Sequence, residues 1–291
     1  DLGLPDMSLE LAAEAGAKTL IIGVANRGGV ISECWAETIL RAIEVGFDIA
    51  SGLHTRLDSV LAIAEASAMH GRKLFDVRHP TRSFNVASGE PRRGMRLLPV
   101  GTDCSVGKMY TALAIQKEMV SRGIKATFRA TGQTGIFIAG EGVSVDAVIA
   151  DFISGATEWL SPSNDHDHWD IIEGQGSLYH ASYAGVTMGL IHGAQPDALV
   201  LCHEPTRSHM RGLPGYPIPD LKDCIRVNLD AARLTNPKVE CIGVSINTKD
   251  LAKEDRDDYL ARIEDELKLP TVDPVLTGVG RVVDNLPELC R

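Results

Sequence analysis

Short apolar blocks separated by polar turns run along most of the chain, and their spacing predicts alternating strands and helices. Residues 19–25 (TLIIGVA) read as a buried strand, NRGG at 26–29 as a turn, and Trp35, Ile39 and Ile43 recur at helical spacing. A strand over 48–51, a helix over 58–70 and a strand over 74–77 follow. Strand–helix alternation of this kind implies a parallel sheet covered by helices, so this unit is expected to be Rossmann-like. Its NRGG turn is not the G-x-G-x-x-G dinucleotide fingerprint, so the shape alone does not imply NAD.

The polar stretch SGEPRR at 88–93 reads as a linker, placing the domains at 1–93 and 94–291. Beyond it, apolar blocks at 96–100, 125–128, 169–172, 198–202 and 241–246 predict strands. Residues 108–120 and 255–267 carry helical patterns. The second unit is therefore α/β as well. Residues 161–168 (SPSNDHDH) are expected to be a mobile loop.

Composition narrows the function classes. With 44% hydrophobic and 23% charged residues in 291, the chain has the make-up of a folded globular protein. A formal charge of −10 argues against a nucleic-acid surface, and no apolar run approaches a membrane span. Six scattered cysteines, Cys34, Cys104, Cys202, Cys224, Cys241 and Cys290, contain no C-x-x-C pair. They suit a reducing cytoplasm rather than a disulfide framework or a zinc site.

The most informative chemistry lies at 101–109. GTDCSVGKM follows a strand, opens a helix and fits the phosphate-loop pattern G-x-x-x-x-G-K, with Met109 where a Mg²⁺-holding Ser or Thr normally stands. Thr102, Asp103, Cys104, Ser105, Val106, Gly107, Lys108 and Met109 are the candidate anion cradle. Thr102, Ser105 or Thr111 are the hydroxyls available in place of the missing one. An NTPase and a binder of uncleaved pyrophosphate, such as that of coenzyme A, both remain compatible with the loop.

Other polar residues follow predicted strands and so belong at the ligand-facing end of the sheet. Glu173 in EGQGS is expected near Lys108, where it would orient a nucleophile, hold a metal or pair with the lysine. Gln133 and Thr134 are candidate contacts to a carboxylate or phosphate, with Asp146 and Asp151 behind them. Arg207 and Arg211, four apart, would share a helical face suited to anions. His180, His203 and His209 lack metal-site spacing and read as proton carriers or core histidines. Arg27 and His54 are candidate pocket residues from the first unit.

Taken together, GTDCSVGKM, ATGQTGI at 130–136, DAVIADFISGA at 146–156 and the long run at 173–207 resemble the DgcN family of D-glutamate N-acetyltransferases. The resemblance spans nearly the whole chain and includes Met109. The GTD and EGQG segments are also similar to dethiobiotin synthetase, a P-loop fold. The resemblance implies a Rossmann-like domain followed by a P-loop NTPase-like, dethiobiotin synthetase-like α/β domain. The implied reaction moves the acetyl group of acetyl-CoA to D-glutamate without a metal. It further implies a cytoplasmic homo-oligomer whose product passes to an N-acetyl-D-glutamate racemase of the enolase superfamily. On this reading the cradle takes a phosphate or the pyrophosphate of acetyl-CoA, Arg207 or Arg27 pairs with a glutamate carboxylate, and Gln133, Thr134 and Gln175 contact substrate. Glu173 or His180 is then the base, and N–H groups at 174–176 stabilise the oxyanion. The alternative class is an ATP- and Mg²⁺-dependent ligase or kinase acting on a small acid.

Overall fold

The computed structural model describes residues 3–24, 26 and 29–287, so Arg27 and Cys290 lie outside the described residues. Two compact units are present, Asp1–Thr81 and Arg82–Arg291.

In the first unit, α1 (Leu9–Glu14), β1 (Thr19–Ile22), α2 (Glu33–Val45), β2 (Asp48–Ser51), α3 (Leu61–His70) and β3 (Leu74–Asp76) alternate. The three strands are parallel in the order β1-β2-β3. Ser32 starts α2 by accepting the Trp35 N–H, and Gly46 ends it in the left-handed conformation at φ 110°. Ile39, Ala42, Ile43 and Phe47 from this helix region pack on Ile49, Leu57 and Ile63. The strand expected over 19–25 stops at Ile22, because its partner β2 ends opposite it at Ser51.

The second unit holds β4 (Met95–Gly101), α4 (Lys108–Ser121), β5 (Ala126–Arg129), α5 (Gln133–Ala139), α6 (Ile153–Leu160), β6 (Trp169–Ile172) and α7 (Ala184–Ala194). It continues with β7 (Ala198–His203), a hairpin of β8 (His209–Met210) and β9 (Leu213–Pro217), α8 (Leu221–Arg233), β10 (Glu240–Ile246), α9 (Arg256–Leu267), β11 (Thr271–Val272) and α10 (Gly280–Val283). Its six-stranded sheet is parallel throughout, in the order β11-β10-β7-β4-β6-β5.

Side chains alternate across this sheet, which is why the strands are apolar without a break. Leu98, Val100, Leu199, Leu201, Val244 and Ile246 pack on one face with α7, α8 and α9. Leu97, Ile171, Val200 and Ile242 pack on the other with α4 and α10. The chain leaves β4 toward β6 and β5 on one side and then fills β7, β10 and β11 on the other. That reversal makes the carboxyl ends of β4, β6 and β7 the crevice of the sheet.

Two expectations change on the structure. The stretch 207–211 is not a helical turn: Pro205 and Gly212 (φ 78°) bracket it, Glu204 accepts the Thr206 N–H at 2.7 Å, and the chain goes into the β8–β9 hairpin. Asp146 and Asp151 sit exposed on short 3₁₀ turns rather than behind the loops. Residues 88–93 pack on the second unit. Ser88 and Gly89 N–H donate to Glu158 at 2.8 and 2.9 Å, and Arg92 donates to the carbonyls of Ser161 and Gly193, where α6 and α7 end. Residues 161–168 are irregular, and Lys125 bridges them through Asp165 and Asp167 at 3.1 Å each.

Candidate active site

The phosphate loop joins β4 to α4. Ser105 at φ 54° and Gly107 at φ 106° turn the backbone through left-handed conformations, so consecutive N–H groups face inward as an anion nest. Lys108 opens α4, is only 6% exposed, and donates from Nζ to the Asp103 carbonyl at 2.8 Å. Burial pushes its ammonium below its ordinary pKa. Each hydroxyl expected to replace the one missing at Met109 is already engaged. Thr102 Oγ1 meets His203 Nδ1 at 3.0 Å, Thr111 Oγ1 meets Ser245 Oγ at 2.8 Å, and Ser105 Oγ accepts from Arg211.

Asp103, fully buried, holds this loop in shape. One carboxylate oxygen accepts the Cys104 N–H at 2.6 Å; the other accepts Arg207 Nη1 at 2.7 Å and the Arg211 N–H at 2.8 Å. Arg207 also donates to the carbonyls of Cys104 at 2.6 Å and Ser105 at 2.7 Å, and to Glu204 at 2.9 Å. Its fork is thus spent on the protein. Of the two roles open to Arg207 in the sequence, pairing with a ligand anion or with the protein's own acids, the geometry fits the second: it braces the cradle.

Glu173 leaves β6 at the neighbouring strand end, as its position after an apolar strand predicts, and is 3% exposed. Its Oε2 accepts the N–H groups of Thr131 and Gly132 at 2.8 and 3.0 Å, and the Thr131 hydroxyl donates to its carbonyl at 2.6 Å. Burial pushes its carboxyl up to about 7, outweighing the pull of those N–H groups and of Lys108. Glycines make the space around it. A β-carbon on Gly135 would collide with Glu173 Oε2, and one on Gly132 would sit 2.6 Å from Gln175 Nε2. Gln175 donates to Thr131 Oγ1 at 3.2 Å, while Gln133, half-buried, and Thr134, exposed, form the first turn of α5 beside Gly132.

His180 does not fit the role of base. The Ser182 N–H occupies its Nδ1 lone pair at 3.2 Å, so the proton sits on Nε2 and is given to the Arg211 carbonyl at 3.1 Å. Its ring packs on Tyr183 with centroids 4.6 Å apart. It fixes the hairpin against the loop. Asp103, Cys104 and His180 bring ligand-type atoms within 4.8 Å of one another, a grouping that the sequence spacing did not reveal. Arg207 already neutralises Asp103 there, and burial raises the Cys104 thiol. His203, beneath Thr102, is pushed down to about 4 by burial and stays neutral. In the first unit, Gly29 meets the loop that follows β2, its carbonyl accepting the Thr55 N–H at 3.0 Å, and His54 is exposed.

A phosphate loop after the central strand of a six-stranded parallel sheet, in a chain that begins with a Rossmann-like unit, defines a two-unit α/β protein of the P-loop class. Residues 1–80 match the Rossmann-like domain and residues 85–283 the P-loop domain of a family described as a domain of unknown function, DUF1611; the chain belongs to that family. A D-glutamate N-acetyltransferase of Tritonibacter scottomollicae is 57% identical over 98% of this chain and 86% of its own length. One from a Pseudoalteromonas species is 50% identical over 98% and 86%. The crystal structure of a DUF1611 family protein from Anabaena variabilis superposes with a TM-score of 0.88 at 34% identity, covering 96% of this chain and 82% of that one. No described helix is long and apolar enough to cross a membrane.

Proposed function

We infer that this chain transfers the acetyl group of acetyl-CoA to the amino group of D-glutamate. The observation that carries the reading is Glu173: a buried carboxyl held near neutrality beside an anion cradle, in a chain whose relatives at 57% and 50% identity are named for that reaction. An amino acid arrives as an ammonium ion and becomes a nucleophile only after losing a proton. A base titrating near 7 takes that proton at neutral pH without holding it too tightly. Attack on the thioester then places negative charge on the carbonyl oxygen, for which the N–H groups of Gly174, Gln175 and Gly176 are the candidate donors. Gln133, Thr134 and Gln175 line the same region as candidate acceptor contacts. The Mg²⁺-dependent ligase reading is weakened by Met109 and by the engagement of Thr102, Ser105 and Thr111. Homo-oligomerisation and delivery of the product to a racemase belong to this reading as expectations of the family resemblance.

Two measurements test it. Thiol release from acetyl-CoA, in chelator and without nucleotide, is expected with D-glutamate and not with L-glutamate or neither. ADP formation from ATP and a small acid, with no thiol release, would instead establish the ligase. Gly135→Ala is expected to lower kcat by about tenfold to 10²-fold through displacement of the Glu173 carboxylate, with the circular dichroism spectrum unchanged. Full activity in that variant would show that the position of Glu173 is unimportant.

A further inference from the structure

The cradle and Glu173 lie close together, at a spacing suited to two groups of one small molecule. A β-carbon on Gly174, the residue after Glu173, would lie 3.0 Å from Lys108 Cδ, and the Lys108 charge is felt at the Glu173 carboxyl. In acetyl-CoA the pyrophosphate and the thioester sulfur are joined by a chain about as long as four residues of backbone, roughly 14 Å when extended. A coenzyme whose pyrophosphate sat on Lys108 would bring its thioester to the base only with that chain folded back on itself. Charge points the same way. Lys108, Arg207 and Arg211 stand against Asp103 and Glu204, a surplus of one positive charge while Glu173 is protonated and none once it ionises, and four of the five Arg207 N–H groups are spent on protein acceptors. One carboxylate matches that balance more closely than the two negative charges of the coenzyme's pyrophosphate.

We propose that the loop at 102–108 seats a carboxylate of the acceptor amino acid, and that the donor's thioester reaches this site while its phosphates are bound elsewhere on the chain. The proposal rests on the acetyl-transfer reading and replaces the expectation that the cradle takes the coenzyme's pyrophosphate. It gives the phosphate loop a positioning task. A carboxylate held by the loop N–H groups and Lys108 places the amine of the same small molecule beside Glu173, converting proton removal and attack into steps within one bound complex.

Steady-state kinetics of the full chain test the placement, with D-glutamate as acceptor and either acetyl-CoA or S-acetyl-N-acetylcysteamine, a thioester without phosphates, as donor. Lys108→Met is expected to raise the KM for D-glutamate on the order of tenfold to a hundredfold with both donors, the loss of one charge-assisted hydrogen bond. The KM for acetyl-CoA should stay close to the wild-type value. A rise confined to acetyl-CoA, or a penalty that vanishes with the short thioester, overturns the proposal. If Lys108→Met does not fold, inorganic phosphate added to the wild-type protein decides. Competition with D-glutamate is expected; competition with acetyl-CoA, or no inhibition, overturns it. Absence of thiol release from wild-type protein with either donor identifies the acetyl-transfer reading itself as the failure.

Discussion

Glu173→Gln is expected to lower kcat by about 10² or more, with little change in either KM, because the amide keeps the shape of the carboxylate and its bonds from Thr131 and Gly132 but cannot accept a proton. Wild-type kcat/KM should rise with pH through about 7, where the Glu173 carboxyl ionises, and the residual activity of the variant should lack that limb. Stability supplies an independent reading. The folded pKa lies above the ordinary value of 4.5, so the native state binds the proton more tightly than the unfolded chain does. The stability this contributes is complete below about pH 4.5 and is lost as pH rises through about 7, on the order of 3 kcal/mol in all. The stability of the variant relative to wild type should therefore rise across that window. Unfolding midpoints that move in parallel for the two proteins would mean that Glu173 is not held protonated by burial.

Arg207→Ala is expected to destabilise the protein by about 3 kcal/mol, visible as a lower urea midpoint, because it strands the buried Asp103 charge and frees the carbonyls of Cys104 and Ser105. Arg207→Lys restores the charge but reaches fewer of the four acceptors, so it should recover less than half of the loss. Recovery to the wild-type midpoint would show that charge alone matters. A wild-type midpoint in the alanine variant would mean that Asp103 needs no counter-ion.

How far the site can be read from sequence differs residue by residue. The loop at 101–109 and Glu173 are legible because each follows an apolar strand, and strand ends converge in a parallel sheet. Helices α5 and α7 left weaker signals. Helix α7 buries one face through Thr187, Leu190, Ile191 and Ala194, but Val186 and Met188 lie off that face, so apolar residues on both sides blur the helical period in the sequence. The roles of Arg207 and His180 depend on the segment entering the β8–β9 hairpin, which brings residues 104 and 31 positions apart into contact; a spacing of four suggested a helix face instead.

The sequence alone determined the class of the chain: two α/β units, a phosphate loop without its hydroxyl and a carboxylate at the next strand end, because these are local patterns of burial and backbone geometry. Only the tertiary structure decided which charged groups remain available to a ligand. Arg207 is engaged by four protein acceptors, the His180 N–H is given to the Arg211 carbonyl, and Glu173 is buried into the neutral range, since hydrogen-bond partners and desolvation come from segments distant in the chain.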